Sequence, residues 1–285
     1  MLVDIVHALK KLGLTSGEPN LVDMNIRWSH HMLFHIDTGV GKRYFIKIAP
    51  TARSEPLQNE AKALRTVGGF LVGRVPALLG FTTHNGFSFL VLSSLESDPI
   101  LGFADIASSA ARRDAYVDLF RDLHSQTRAP EKTEIDEQLA FFEREVPVLA
   151  KYVSSLSIGT VLEKLPHINQ HGDLVANNVG HKGNSLIVYD WEDYGRVGLP
   201  GLDAAVLVGS LLNHDPARLL EVLYGEGRKN GAVRALAEAS GVAFDDFRRF
   251  IPVYYGCFLW LKKTNGYGEL VQRLTLKVIT GVING

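Results

Sequence analysis

Three polar residues in the middle of the chain have the types and the spacing that a phosphoryl-transfer site needs. Asn178 follows Asp173 by five residues, and Asp190 ends an apolar segment twelve residues after that. In phosphoryl transfer the protein mainly positions the transferred phosphoryl group and neutralises its negative charge. One carboxylate takes the hydroxyl proton, while carboxylate and amide oxygens hold Mg²⁺ on the nucleotide. Asp173, Asn178 and Asp190 fit these roles.

The same residue types are also common in turns, because Asn and Asp side chains bond to nearby backbone groups and tolerate left-handed geometry. His171-Gly172-Asp173 on its own is more typical of a turn than of a functional site. The functional interpretation is favoured because the loop is followed by a predicted hairpin at residues 180–183 and then by an apolar strand that ends on an acid.

The N-terminal third of the chain predicts a small β-rich region. Segments at about 25–36 and 43–48 predict two strands joined by turn residues, and two more strands are predicted at about 77–82 and 87–92. A helix is predicted between these pairs, with Ser54 as its cap and a proline in its first turn. Most of the remaining chain predicts helices.

Lys47 and Glu60 lie on the second of these strands and on the helix that follows it. A lone Lys on a strand or a lone Glu on a helix is usually a solvated residue. In kinase-like folds, however, a lysine on the third strand contacts nucleotide phosphates, and a glutamate on the next helix holds its ammonium group. The order of the two residues and the later loop favour this pairing.

Composition limits the classes of function. A chain of 285 residues with 46% hydrophobic residues is long enough for about two domains or lobes. The net charge of −1 and the lack of a basic run do not indicate a nucleic-acid partner. The single cysteine, Cys257, excludes an internal disulfide and favours a reduced, cytoplasmic compartment. No apolar run reaches the roughly 18 residues of a membrane span.

The segment from His171 to Asn178, together with Asp190, resembles the catalytic and metal-binding loops of the aminoglycoside phosphotransferase and choline kinase family. These are small-molecule kinases that share the bilobal protein-kinase fold. The resemblance implies that Asp173 is the catalytic base, that Asn178 and Asp190 are the Mg²⁺ ligands, and that His171 supports the loop. It also implies that Asp203 organises the site by accepting bonds from the catalytic-loop backbone, although a simple helix N-cap would equally explain Asp203.

The resemblance further implies an α+β fold in two lobes, with the nucleotide between them. Residues 1–95 would form a small, β-rich, nucleotide-binding lobe, and residues 96–285 a larger, mainly helical lobe for catalysis and substrate binding. The hinge near Ser93 and Leu95 would offer backbone groups to the nucleotide base. The sequence departs from the protein-kinase pattern because no Gly-x-Gly-x-x-Gly precedes Lys47. The first hairpin would turn through residues 22–29, where Ser29 or nearby amides could contact phosphate.

Two features near the expected substrate site have alternative interpretations. Glu192 and Asp193 could reach the metal or attract a cationic substrate, but a solvated loop is the favoured interpretation. Tyr254, Tyr255, Phe258, Trp260 and Tyr267 could form a cation-π wall for an ammonium group, but a buried helix that packs its aromatics is favoured.

We therefore expect an ATP- or GTP-dependent phosphotransferase that uses Mg²⁺ and acts on a hydroxyl group of a small molecule such as an aminoglycoside, an amino alcohol or a sugar. A nucleotide-binding pseudokinase that acts as an interaction module is an alternative. A protein kinase is disfavoured because His-Gly-Asp replaces His-Arg-Asp and no Ala-Pro-Glu follows. No nucleic-acid or membrane partner is expected, and the oligomeric state stays open.

Overall fold

The computed structural model divides the chain into two units, Met1–Ser97 with Ile187–Asp193, and Asp98–Leu186 with Tyr194–Gly285. The sequence predicts a boundary after residue 95, whereas the first unit extends to Ser97 and also includes a segment from much later in the chain. The residues that the structure describes are 2–15, 20–26, 32–37, 43–100, 102–128, 132–158, 161, 165–266 and 268–285.

Within the described residues of the first unit, five strands form one antiparallel sheet with the spatial order β1-β2-β3-β5-β4. Lys47 lies in the middle strand and pairs with Leu33 on one side and with Leu90 on the other. The strands are β1 (Asn20–Ile26), β2 (Met32–Asp37), β3 (Arg43–Pro50), β4 (Leu78–His84) and β5 (Phe87–Ser93).

The predicted turn at residues 22–29 is wrong in its first part, because the chain is still a strand up to Ile26. Asp23 pairs with His35 and Asn25 pairs with Leu33, so β1 continues its ladder with β2 through these positions. Ser29 lies outside the described residues.

Strand β3 separates the core of the first unit from its polar cluster, because successive side chains point to opposite faces of a sheet. The even-numbered residues from 44 to 48 belong to a core that is shared with helix α1 (Leu2–Lys11). Lys47 faces the other way, towards helix α2 (Glu55–Val67), which carries Glu60.

Helix α2 begins after Ser54 and has Pro56 in its first turn, as the sequence predicts. The Ser54 side chain does not cap the helix, because its hydroxyl donates to the carbonyl of Thr51 instead. The segment Ile187–Asp193 packs on the same helix. Its 3-10 turn, Trp191–Asp193, contacts α2, and Val188 donates its N–H to the carbonyl of Arg74.

The second unit is mainly helical, with short strands in which β6 pairs with β9, β7 with β8, and β9 with β10. The strands are β6 (Asp98–Pro99), β7 (Thr127–Arg128), β8 (His167–Ile168), β9 (Val179–Lys182) and β10 (Ser185–Val188), and the last two residues of β10 belong to the first unit. The helices are α3 (Phe103–Ser108), α4 (Ala110–His124), α5 (Lys132–Glu145), α6 (Pro147–Ser155), α7 (Leu202–Leu211), α8 (Pro216–Tyr224), α9 (Arg228–Ala239), α10 (Phe244–Thr264) and α11 (Glu269–Asn284).

Helices α7 and α10 approach closely because glycines on one side meet tyrosines on the other. The hydroxyl of Tyr254 lies against the α-carbon of Gly201, and the hydroxyl of Tyr255 lies against that of Gly209, where a Cβ atom would collide with it. Both tyrosines are fully buried. Tyr255 also shares a hydrogen bond of 3.0 Å with Nδ1 of His214, in the turn that follows α7. This contact fixes α7 against α10.

The two units confirm the predicted α+β class, with a β-rich N-terminal unit and a larger, mainly helical one. None of the helices in the described ranges combines the length and the apolarity that crossing a bilayer requires.

Candidate active site

A buried lysine in the first unit is held by two carboxylates. Nζ of Lys47 lies 2.6 Å from Oε2 of Glu60 and 2.5 Å from Oδ1 of Asp190. Lys47 is only 5% exposed, so its ammonium group is fixed between these partners. Burial opposes the charge on Lys47, but Asp190 and Glu60 outweigh this effect and raise the pKa of the lysine. The sequence predicts Glu60 as a partner of Lys47 but does not predict Asp190 as another.

Asp190 reaches Lys47 from a strained turn. Its backbone has a φ of 65°, in the left-handed region that Asp tolerates better than most residues. Strain of this kind is concentrated at functional sites, where the surrounding structure maintains it. The next residue, Trp191, is fully buried, and its indole N–H donates to the carbonyl of Val188 at 3.0 Å. The turn is therefore anchored on the residue that follows Asp190.

Glu192 and Asp193 are buried, so the prediction of a solvated loop is wrong. The physical reason is that the 3-10 turn containing them packs against α2. Burial, reinforced by the charge of Asp190, raises the pKa of Glu192 to about 8. Three carboxylates, those of Glu60, Asp190 and Glu192, thus act electrostatically on the single ammonium group of Lys47. Lys47 alone cannot balance three ionised carboxylates, and the raised pKa of Glu192 accordingly favours its protonated form near neutral pH.

In the second unit, the loop that carries Asp173 is held through its backbone. The N–H of His171 donates to Oδ2 of Asp203 at 2.6 Å, and the N–H of Gly172 donates to Oδ1 at 3.0 Å. The N–H of Asp203 donates in turn to Oε1 of Gln170 at 3.1 Å. Gly172 has a φ of 86°, which glycine adopts without steric cost, so the loop needs glycine between the histidine and the aspartate.

Asp203 ties this loop to α7 and does not cap the helix. Gly201 is the N-cap of α7, and Asp203 lies in the first turn with its carboxylate bonded to the loop. The alternative of a simple N-cap is therefore wrong. Burial raises the pKa of Asp203 to about 7, although the N–H groups of His171 and Gly172 oppose this shift.

Two side chains brace the loop from within. Nδ1 of the fully buried His171 accepts the N–H of Asp173 at 3.2 Å, so this nitrogen carries no proton. Nδ2 of Asn178 donates to the backbone carbonyl of Asp173 at 2.9 Å and lies 3.4 Å from its carboxylate. With its nitrogen used in this way, Asn178 has its amide oxygen as the atom that suits a metal ion.

A lysine that the sequence pattern did not predict contacts Asp173, the predicted base. Nζ of Lys262, near the end of α10, lies 2.8 Å from Oδ2 of Asp173. The Lys262-Lys263 pair resembles the basic last turn that commonly ends a helix. The signal was the spacing of Tyr255, Phe258 and Lys262, which places the lysine on the aromatic, buried face of the helix.

The hinge groups expected to meet the nucleotide base have partners within the first unit. The N–H of Ser93 donates to the carbonyl of Ala77 at 2.9 Å, and the carbonyl of Leu95 accepts the hydroxyl of Tyr189 at 3.0 Å. A carbonyl oxygen has two lone pairs, so Leu95 keeps a second acceptor position, whereas the single N–H of Ser93 is used.

The aromatic segment of α10 is mostly part of the core. Tyr254 and Tyr255 are fully buried, and Phe258 is 3% exposed. The ring of Phe258 lies 5.0 Å from Nζ of Lys262, and the ring of Trp260 lies 5.8 Å from the guanidinium carbon of Arg196. Tyr267 lies outside the described residues.

The donor set suits Mg²⁺ better than a transition metal. Across the described part of the chain, no group of three or more His, Cys, Asp or Glu side chains could hold a metal ion. Mg²⁺ does not need such a cage, because one or two protein oxygens, water and substrate phosphates complete its shell. Asn178 in the second unit has an amide oxygen and Asp190 in the first unit has a carboxylate, and both are ligand types that Mg²⁺ accepts.

Comparison with known proteins gives one family and one fold. A family model described as the Phosphotransferase enzyme family matches residues 25–239. A search of curated proteins finds no match.

Among solved structures, a protein assigned as a fructosamine-3-kinase from Thermobifida fusca has a TM-score of 0.61 at 16% identity, over 98% of each chain. The GDP and kanamycin complex of APH(2″)-IIIa has a TM-score of 0.62 at 14% identity, over 99% of this chain and 98% of that one. The streptomycin–ATP complex of APH(2″)-IIa has a TM-score of 0.53 at 14% identity, over 98% and 95%. At these identities the likeness establishes the fold alone, and it confirms the predicted kinase-like fold.

Proposed function

We propose a mechanism for this chain, which belongs to the Phosphotransferase enzyme family and is a phosphotransferase with an alcohol group as acceptor. In this mechanism Asp173 is the base, and Lys47 is the cation that binds phosphate. The donor is the γ-phosphoryl group of ATP or GTP, and the acceptor is a small polyhydroxyl compound. The structures with ATP and streptomycin or with GDP and kanamycin support a nucleoside triphosphate donor, and the relative named as a fructosamine kinase supports a sugar-like acceptor.

In the proposed reaction, the acceptor hydroxyl oxygen forms a bond to the γ-phosphorus as the bond from that phosphorus to the bridging oxygen of the nucleotide breaks. The proton of the hydroxyl passes to the carboxylate of Asp173, and the nucleoside diphosphate leaves with the bonding electrons. Asp173 suits this role because its loop is held by Asp203, so the carboxylate starts from a defined position.

Lys47 binds the phosphates of the nucleotide in this proposal. Its ammonium group neutralises charge on the phosphoryl oxygens, and Glu60 and Asp190 hold it in place so that little reorganisation is needed when the nucleotide binds. Asn178 and Asp190 would hold Mg²⁺ through their oxygens. A bound Mg²⁺ supplies further neutralisation of the phosphate charge.

The observation that carries the proposal is the Lys47–Glu60–Asp190 cluster, in which Lys47 and Glu60 are buried and Asp190 is partly exposed. Burial of a charged pair is costly, and such pairs are often no more stable than well-packed apolar residues. A cluster of this kind, placed on the middle strand of a nucleotide-binding kinase fold, is better explained by phosphate binding than by stability.

The test is nucleotide consumption with Mg²⁺ and ATP or GTP, across aminoglycosides, amino alcohols, hexoses and nucleosides. We expect acceptor-dependent turnover that is lost in Asp173→Asn and kept in Asp114→Asn, a matched change on the exposed face of α4. Each purified variant is compared by circular dichroism, so that a folding defect is separated from a catalytic one. Equal turnover in Asp173→Asn and in the parent protein would exclude Asp173 as the base.

A further inference from the structure

Lys262 places a positive charge directly beside the predicted base. Its ammonium group lies 2.8 Å from the carboxylate of Asp173 and 5.0 Å from the centre of the Phe258 ring. The residue is 2% exposed, so almost the whole side chain has been removed from water. Removing an ammonium group from water is costly unless a close partner compensates, and here the partner is Asp173.

The position of this ammonium group is fixed by the packing of α10. Lys262 lies on the same buried face of α10 as Tyr255 and Phe258. Tyr255 packs α10 against α7 through its contact with Gly209. Helix α7 also carries Asp203, which holds the loop of Asp173. The lysine and the carboxylate are therefore positioned by the same pair of helices.

The loop itself contributes no cation. Residues 170–179 contain neither Lys nor Arg, and Nδ1 of His171 acts as an acceptor. Lys262 thus brings to this loop a positive charge from a helix more than 80 positions away along the chain.

Four groups of the second unit that could bind a cation already contact cations or backbone N–H groups of the protein. Lys262 lies over the ring of Phe258, and Arg196 lies over the ring of Trp260. Among carboxylates, Asp173 pairs with Lys262, and Asp203 accepts backbone N–H groups of its loop. An ammonium-bearing acceptor would have to compete with these internal contacts.

We propose that Lys262 makes the enzyme select its acceptor by charge. The enzyme then phosphorylates an uncharged or anionic hydroxyl compound of the sugar or sugar-acid class and discriminates against amino sugars. The inference rests on the proposed role of Asp173 as the base, since the reacting hydroxyl must then approach within reach of Lys262. Because its ammonium group is buried, Lys262 acts on the acceptor through space and not by a hydrogen bond. Asp173 offsets its charge until that carboxylate takes the hydroxyl proton, and Lys262 then repels a cation on the acceptor.

The experiment compares matched acceptors that differ in charge. The pairs are glucose with glucosamine and galactose with galactosamine, and gluconate is the anionic member; kcat/KM is measured for each with Mg²⁺-ATP at pH 7. We expect the uncharged or anionic compound to be preferred over its amine by about tenfold or more, as repulsion between two close charges implies. In Lys262→Met this ratio falls towards one, whereas Lys262→Arg retains it.

Lys263→Met is the matched control, because Lys263 is the next residue on the same helix and pairs with Glu145 instead of Asp173. It should leave the ratio unchanged. Equal or better use of the amino sugars by the parent protein would overturn the proposal, and so would an unchanged ratio in Lys262→Met. If Lys262→Met does not fold, as judged by thermal melting, the ratio of the parent protein alone decides.

Two further measurements separate this inference from the proposed function. Slow nucleotide hydrolysis without an acceptor, lost in Lys47→Met, tests the donor half of the reaction and does not depend on acceptor charge. Binding of the same compounds, followed by saturation-transfer NMR, tests the acceptor half where no sugar is turned over. Binding of the uncharged or anionic members alone supports the role of Lys262. Binding of the amines as well, or of no compound, overturns it.

Discussion

The carboxylate of Asp203 accepts the backbone N–H of His171 at 2.6 Å, although the two residues are 32 positions apart in the sequence. The same carboxylate accepts the N–H of Gly172. The conformation of the loop before Asp173 is therefore imposed by helix α7 and not by the loop alone. This arrangement allows the position of the proposed base, Asp173, to be perturbed without changing that residue.

Asp203→Asn should displace the loop while leaving Asp173 in the sequence. An amide has one acceptor oxygen and an NH₂ group, so one backbone N–H would face a donor in place of a carboxylate oxygen. Loss of a buried hydrogen bond to a charged group costs about 1.5–3 kcal/mol of folding free energy. A small displacement of a catalytic group lowers kcat by roughly 10²-fold.

We expect this fall in kcat with little change in the KM for nucleotide, as measured by steady-state kinetics. Asp215→Asn is the control, because Asp215 caps α8 at the surface and asparagine is an equally good cap. An Asp203→Asn protein with full kcat would show that the loop does not need this support.

Glu60→Gln should weaken the electrostatic interaction that holds the ammonium group of Lys47 in place. The glutamine keeps the size of the side chain but removes the negative charge, so Asp190 remains as the close anionic partner of the ammonium group. We expect kcat/KM for nucleotide to fall by about tenfold to a hundredfold, less than the roughly 10²–10³ lost when an electrostatic group is removed outright. Glu55→Gln, on the exposed first turn of the same helix, should change kcat/KM by less than about twofold.

Gly209→Ala should destabilise the second unit. The new methyl group would occupy the position of the Tyr255 hydroxyl, and both helices are buried there. Overpacking of this kind costs about 1–3 kcal/mol of unfolding free energy. Urea denaturation should show the loss, and the double variant Gly209→Ala/Tyr255→Phe should recover part of it because the hydroxyl is gone.

Gly231→Ala, which is also a glycine-to-alanine change, should have the opposite effect on stability. Gly231 is an exposed residue of α9, and a Cβ atom there would meet nothing within 4 Å. Alanine favours a helix over glycine by about 0.8–1.0 kcal/mol, so this variant should be more stable than the parent protein. Similar destabilisation by both alanines would show that the contact with Tyr255 does not explain the effect at Gly209.

Because of His214, the folded protein should lose stability in mild acid. Burial lowers the pKa of His214 from its ordinary value of 6.5, so the unfolded chain binds a proton at a higher pH than the folded chain does. Stability therefore rises with pH, is complete above about pH 6.5 and is lost as the pH falls from there towards the lower, folded-state pKa.

The measurement is the melting temperature between pH 7.5 and pH 5 for the parent protein and for His214→Asn. Asparagine suits position 214 because the backbone there has a positive φ of 51°. The variant should lose less stability on acidification. His181, whose pKa burial also lowers, is present in both proteins, so the difference isolates His214. Parallel melting curves would exclude His214 as a source of acid sensitivity.

The sequence was sufficient for the parts of the site that follow from local patterns. The order of Lys47 and Glu60, together with the kinase-like pattern in which a strand lysine pairs with a glutamate of the next helix, predicts that the two side chains meet, as they do. The short motif around Asp173 likewise predicts that Asn178 lies beside the aspartate, since the loop between them is too short to separate the two.

The contacts that sequence analysis missed depend on long-range packing. Lys262 pairs with Asp173 across 89 positions, and no local pattern reveals the partner of a buried lysine. The burial of Glu192 is also non-local, because it follows from the packing of its turn on α2. Polar residues in such positions contradict the usual rule that charges are solvated, and only the tertiary structure shows which ones do so.

The inclusion of Ile187–Asp193 in the first unit has a consequence for biosynthesis. A ribosome releases residues 1–97 long before it reaches residue 193, so the nascent N-terminal region lacks Trp191 against α2 and Asp190 against Lys47 during that interval. Domains usually fold in order of synthesis. Here the N-terminal unit stays incomplete, with Lys47 lacking Asp190, until all of residues 98–186 of the second unit have been translated. Premature termination before residue 187 would leave that unit unable to complete its own structure.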